Sequence, residues 1–273
     1  MSEWSACFLL VFGQLAAGGL ASLAVPPFAA IERGFYKSSA AVYLACATLY
    51  LAGRITLVVR SGTVSGMRVA EIALWTAFTV VTAVYLATLW GDSSIRRARA
   101  YAAALLLGLA ALSASALAYR VGPLLSFATP LYPIAFTTGA LALGAVTTGM
   151  LLGHWYLIDL GLSLEPMRRL FRFFVTVLVV HAGVLVLCLL VFGLGAASSA
   201  GTVASLWHDH GALLGARFVL GPLAGLGFAA LIHRTLQIPQ TMAATGLFYI
   251  AILFVLVGEL LGRLILFRTA LPL

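Results

Sequence analysis

Eight apolar runs, each about as long as a bilayer is thick, recur along this chain with little between them. They fall at about residues 6–30, 39–60, 67–90, 99–121, 133–158, 168–194, 212–233 and 241–267. A helix rises 1.5 Å per residue, so roughly 20 apolar residues cross the ~30 Å hydrocarbon core. In that core the backbone must satisfy its own hydrogen bonds, which a helix does within one segment. The runs predict an all-α polytopic membrane protein, a bundle of eight transmembrane helices with short loops, forming a single integral membrane domain over 1–273. The longest connection, 195–211, is too short for a soluble domain, and the runs do not repeat one another.

Composition narrows the class further. Only 9% of residues are charged and 63% are hydrophobic, against about a quarter charged in soluble domains. The net charge of +8 comes from arginines and Lys37, mostly between apolar runs, which reads as membrane orientation and headgroup contact. A nucleic-acid partner would need a basic soluble domain. Cys7, Cys46 and Cys188 each lie inside an apolar run, without CxxC or CxxCH spacing, so an iron–sulfur cluster, covalent haem or disulfide framework in this chain is not expected. The opening MSEW is acidic where a signal peptide is basic, so the first run is expected to stay as a mature helix.

Eight crossings return the chain to the side on which it began. The loops opposite the termini carry nine positive residues, Arg33, Lys37, Arg96, Arg97, Arg99, Arg168, Arg169, Arg172 and Arg234, against seven on the terminus side. The positive-inside rule then places both termini outside the cytoplasm, in the inner (cytoplasmic) membrane of a cell.

The last run holds the most costly residues. Glu259 and Arg263 stand at i and i+4, on one helix face, and each costs roughly 2.5–3.5 kcal/mol in hydrocarbon, so they should face the bundle interior or water. Counting from the run boundaries, Gln14, Arg54, Glu71, Arg217 and Glu259 fall in one layer, about 6–12 Å below the terminus-side surface. The plain explanation is ion pairs and snorkelling arginines that hold the bundle. A common depth on five helices points instead to a polar cavity open to one face. Such a cavity suits a quinone, with Glu71 or Glu259 as proton acceptor and an arginine orienting the head group.

Among the histidines, His181 is expected near the middle of the sixth helix, and His154 and His233 near the cytoplasmic ends of the fifth and seventh. Bis-histidine haem b needs two imidazoles at one depth, whereas His154 and His181 differ by roughly 12–15 Å. His208 and His210 flank Asp209 in an expected outer loop, read as a polar turn rather than a metal site. GHWYLID over 153–159 reads as an aromatic belt anchor, or as a proton uptake point with His181 as relay. The glycines, GMLLG over 149–153 among them, suggest close helix packing, and Pro26 and Pro27 should end or kink the first helix.

VFGQLAAGG over 11–19 and VGELLGRLILF over 257–267 resemble the first and last helices of the dimethyl sulfoxide reductase anchor family (DmsC), relatives of the NrfD and PsrC membrane subunits. Ala70-Glu71-Ile72 is similar to that family's acidic start of helix 3, and Gly211-Ala212-Leu213 with Arg217 to its helix 7. About a quarter of the chain resembles it closely. The resemblance implies a subunit that binds menaquinone or ubiquinone near the outer face and carries no haem or iron–sulfur cluster itself. It implies exchange of electrons with a ferredoxin-like iron–sulfur subunit, and through that with a catalytic subunit, usually a molybdopterin enzyme. The family often has a histidine between helices 2 and 3, whereas 58–67, VVRSGTVSGM, has none. The proton acceptor then falls to Glu71 and Glu259, with Gln14, Arg54, Arg217 and Arg263 binding the quinone. The competing expectations are a haem b cytochrome subunit and a small transporter lined by buried ion pairs.

Overall fold

The computed structural model describes residues 3–61, 66–120, 123, 125–159, 161–194, 203–238 and 240–273. Within them the secondary structure is helical: α1 (Glu3–Ser22), α2 (Arg33–Ser61), α3 (Gly66–Thr88), α4 (Ser94–Leu117), α5 (Leu131–Trp155), α6 (Glu165–Leu194), α7 (Val203–Phe218), α8 (Ala224–Gln237) and α9 (Thr241–Thr269). A π-helical turn, Val219–Leu223, joins α7 to α8. Among the described residues, eight spans are long and apolar enough to cross a membrane, α7 to α8 supplying one of them as Trp207–Gln237.

The boundaries differ from the sequence reading where punctuation overrides hydropathy. α1 stops at Ser22 rather than near 30, because Pro26 and Pro27 cannot continue it, and its last turn is held by Ser22 Oγ donating to Gly18 O at 2.8 Å. α2 starts at Arg33 rather than near 39, because Phe35 and Tyr36 in its first turn are buried. α4 starts at Ser94, where Ser93 Oγ accepts from Arg96 N at 3.4 Å as an N-cap. His208 and Asp209, expected in a loop, lie exposed on α7, and His210 departs from helical geometry with φ −135° and ψ 19°. Pro222 lacks the N–H that an α-helix needs, and the wider π turn accommodates it.

α1, α5 and α9 are the most enclosed spans. α1 and α5 approach so closely that a Cβ on Gly144 would lie 2.1 Å from the Gly18 carbonyl carbon, so only small residues permit this crossing. Gly149 and Gly153 similarly admit Phe248 and Thr245 of α9. α2, α3 and α4 pack on one flank of this trio, while α6 to α8 pack on the other. Arg268 Nε lies 3.6 Å from Glu3 Oε2, which sets the start of α1 and the end of α9 at the same end of the bundle. Past α9, Ala270 turns left-handed at φ 57° and its carbonyl accepts from Tyr132 OH at 2.7 Å, folding residues 271–273 back against the bundle. Leu273 is buried there with Leu131, Leu214 and Ile265.

Candidate functional site

The polar residues of the expected common layer fall into two clusters on different faces of α1. Gly13 faces the first, where an added Cβ would lie 3.0 Å from both Trp75 and Tyr50, and the next residue, Gln14, faces the second. No hydrogen bond among the described residues joins the two clusters.

The first cluster surrounds Glu71, only 1% exposed. Its Oε1 accepts from Tyr50 OH and Ser115 Oγ, both at 2.7 Å, and its Oε2 pairs with Arg54 Nη2. Trp75 Nε1 donates to Ser115 Oγ at 2.9 Å, and the Trp75 ring lies 4.2 Å from that of Tyr50, centroid to centroid. Helical spacing builds the group: Tyr50 and Arg54 on α2 and Glu71 and Trp75 on α3 are i, i+4 pairs. One carboxylate meets one guanidinium, and each carboxylate oxygen is engaged.

The second cluster surrounds Glu259, which is fully buried. Its Oε1 accepts from Arg217 Nη2 at 2.7 Å; its Oε2 accepts from Gln14 Nε2 at 2.8 Å and Arg263 Nη2 at 3.3 Å. Arg263 also lies over the Phe136 ring, 3.9 Å from its centroid. His181 joins from α6: Nε2 lies 2.8 Å from Arg217 Nη2 and Nδ1 lies 2.9 Å from Thr138 Oγ1. The same Nε2 lies 3.0 Å from Glu259 Oε1. A bare Nε2 accepts from Arg217, with Nδ1–H donating to Thr138 and Thr138 donating to Ile134 O at 3.0 Å, whereas a protonated Nε2 donates to Glu259. Beside the imidazole, the cluster holds one carboxylate and two guanidiniums. Arg217 Nε and Arg263 Nε and Nη1 are buried with no hydrogen-bond partner among the described residues, as is Gln14 Oε1.

Glycines make this close packing possible. A Cβ on Gly139 would meet Glu259 Oε2 at 2.4 Å, and one on Gly221 would meet Arg217 Nη1 at 2.7 Å. A Cβ on Gly258 would lie 2.5 Å from Gly221 Cα, while one on Gly262 would lie 2.7 Å from Arg217 Nε and 2.2 Å from Leu273 O. The π turn brings Gly221 against α9, so the break in the seventh span and the Arg217 position belong together.

All six expected site residues are thus placed, with Gln14, Arg217, Glu259 and Arg263 brought together and Arg54 and Glu71 held apart from them. Both clusters are packed into the bundle rather than lining one shared polar cavity: Gln14, Glu71, Arg217, Glu259 and Arg263 are each at most 1% exposed. Tyr50, Trp75, Ser115, Thr138 and the engagement of His181 were not anticipated. His181 and His154 are not brought together: His181 Nδ1 and Nε2 contact Thr138 and Arg217, and His154 is exposed at the other end of α5. The GHWYLID stretch works locally: Trp155 packs edge-on to Phe35, and Tyr156 OH donates to Ser163 O at 2.6 Å. Burial pushes the Tyr156 phenol up to about 12.

Two cavities lie outside these clusters. One of about 230 Å³ is apolar and runs between α1, α4 and α5 along Ala17, Gly18, Leu109 and Ala140, one turn from Gln14 and adjoining Gly139. Another of about 420 Å³ lies between the start of α6 and the end of α8. Compared with known proteins, the chain matches no family model, no curated sequence and no solved structure.

Proposed function

We propose that this chain is the quinone-binding membrane anchor of a multisubunit respiratory oxidoreductase, passing electrons between the quinone pool and a peripheral iron–sulfur subunit. One observation carries the reading. Arg217 and Arg263 present three buried guanidinium nitrogens without an acceptor among the described residues, beside a carboxylate that other donors already share. An unmade buried hydrogen bond costs about 1–3 kcal/mol, more for a charged group, so the cluster suits a ligand that brings acceptor oxygens and no donors. A menaquinone or ubiquinone head group is such a ligand, and its redox change takes up or releases protons along with electrons.

The chain's own residues then have distinct tasks. Arg263 and Arg217 orient an acceptor oxygen, and their surplus positive charge favours negative charge developing on it. Glu259 is the nearest proton acceptor, and Thr138 bonds His181 Nδ1 so that Nε2 faces the cluster. Glu71 is less suited to that task because Arg54, Tyr50 and Ser115 already occupy it. The apolar cleft beside Ala17 and Ala140 offers a path for an isoprenoid tail. The positive-inside bias puts this layer near the extracytoplasmic face, where the iron–sulfur subunit and a molybdopterin or other catalytic subunit would dock.

The test is gentle purification of the tagged chain from its native membrane, with mass spectrometry of bound proteins and extracted quinones. Recovery of an iron–sulfur subunit together with a quinone supports the anchor. A second reading, an anion transporter, is favoured by the Pro222 break in the very span that carries Arg217, since interrupted helices line many transport sites. A chain recovered alone that carries anions into proteoliposomes would replace the anchor with that reading.

A further inference from the structure

At the end of the bundle opposite the Glu3–Arg268 pair, the cleft of about 420 Å³ between α6 and α8 has a different chemistry from either buried cluster. Its charged wall comes from the first two turns of α6, where Arg168 and Arg172 line the cleft with one acid, Glu165, and Arg169 lies beside them on the helix. Glu165 is already held by Arg169 at 2.8 Å and reaches Arg172 only at 3.3 Å, leaving Arg172 68% exposed. Arg168 Nη2 donates to Leu236 O at 3.3 Å, which ties α6 to the end of α8 and positions the guanidinium at the cleft. Across the cleft, Gln237 Nε2 lies 3.1 Å from His233 Nε2, and the His233 ring stacks on Phe171 at 5.9 Å between centroids. Buried Leu236 and nearly buried Phe171 form an apolar floor.

We propose that this cleft binds a phosphate oxyanion carried on a lipid headgroup, the phosphodiester of an anionic phospholipid. Two guanidiniums a turn apart can bond phosphate oxygens in a planar, two-pronged geometry that a lysine cannot match. The N-terminus of α6 adds its own partial positive charge at the same place. The apolar floor distinguishes a lipid from free phosphate, since acyl chains can leave the cleft along exposed Val179, Val180 and Leu187 of α6 and Leu231 of α8. Basic clefts between helices at a membrane face are suited to such headgroups. The proposal does not depend on the quinone reading.

The test uses the full chain in detergent, titrated with phosphatidylglycerol, phosphatidylcholine or inorganic phosphate and read by native mass spectrometry. The wild type should retain phosphatidylglycerol about ten-fold better than phosphatidylcholine, and R168Q/R172Q should abolish that preference while R168K/R172K keeps part of it. Should the double variant fail to fold, Glu165→Gln, which removes the competing carboxylate, should raise phosphatidylglycerol retention. A preference unchanged in R168Q/R172Q and in E165Q would overturn the site. Displacement of phosphatidylglycerol by inorganic phosphate at equal concentration would overturn the lipid as its source.

Discussion

Two carboxylates lie buried on either side of α1, and they are held in opposite ways. Glu71 meets a single arginine, and its remaining capacity is filled by the neutral donors Tyr50 and Ser115. Glu259 meets Arg217 and Arg263 together, with His181 and Gln14 beside them, and guanidinium N–H groups are left over among the described residues. A buried ion pair in a bundle works best with matched charge and filled hydrogen bonds. The Glu71 cluster matches its charges, leaves a single guanidinium nitrogen, Arg54 Nε, buried without a partner among the described residues, and reads as a strut between α2, α3 and α4. The Glu259 cluster exceeds what holding helices together requires, and its surplus is the argument for a ligand.

The largest break in this comparison comes from the acids themselves. Glu259→Gln leaves two buried arginines with no counter-charge, and removing one partner of a buried pair costs about 3–5 kcal/mol. Little folded protein should be recovered by size exclusion, whereas Glu71→Gln, in which Tyr50 and Ser115 can still bond the amide oxygen, should give a folded chain of lowered melting temperature. Equal losses from both would remove the distinction between the clusters.

The arginines should then respond with opposite sign. Arg54→Gln leaves Glu71 charged and short of its partner, at a cost of about 1–3 kcal/mol, moderated because Arg54 is 14% exposed and water can reach it. Arg263→Gln brings the second cluster to charge balance, so the melting temperature should hold or rise while quinone recovery and quinol-coupled electron transfer fall. A destabilised Arg263→Gln chain with unchanged quinone content would make Arg263 a structural residue.

The glycines sharpen the contrast at smaller scale. Around Glu71, a methyl at Gly13 would press on the ring atoms of Trp75 and Tyr50 at 3.0 Å, which a small tilt relieves. Around Glu259, a methyl at Gly258 would press on Gly221 Cα at 2.5 Å, where backbone must move. Gly258→Ala should therefore cost about 1–3 kcal/mol by overpacking, seen as a lower thermal midpoint in detergent, and Gly13→Ala distinctly less. The reverse order would mean that the π turn yields more readily than the aromatic pair.

Much of the fold was legible because a hydrocarbon environment leaves few alternatives: apolar runs of the right length must be helices, and each of the eight falls on an observed span. The site was legible only in part. Depth along a helix follows from counting residues, so the shared layer of Gln14, Glu71, Arg217 and Glu259 could be expected. Azimuth does not follow from counting, so their division between two faces of α1 could not. The i, i+4 spacing that exposed Glu259 and Arg263 was equally present in Tyr50 with Arg54 and Glu71 with Trp75, and could have disclosed the first cluster. His181 was placed at mid-membrane; nothing in its sequence neighbourhood announces Arg217, because the contact forms between α6 and α7, far apart along the chain. The HDH segment was read as a loop because three polar residues interrupt an apolar run, yet the backbone stays helical through His208 and Asp209.

The smallest expected effect probes the proton inventory of the second cluster. Thr138→Val keeps shape but removes the hydroxyl that accepts from His181 Nδ1 and donates to Ile134 O. The loss of one buried side-chain hydrogen bond costs about 1 kcal/mol, so the fold should survive. Without that acceptor the imidazole is free to move its proton to Nε2, which then donates to Glu259 Oε1, 3.0 Å away, instead of accepting from Arg217. Imidazole ¹⁵N shifts should therefore report an Nδ1-protonated ring in the wild type and an increased Nε2-protonated fraction in the variant. Ser115→Ala in the first cluster removes the bonds with Glu71 and Trp75 and should leave the His181 signal where it was, since α1 lies between the clusters. A His181 shift in Ser115→Ala would mean that the two clusters are one network after all.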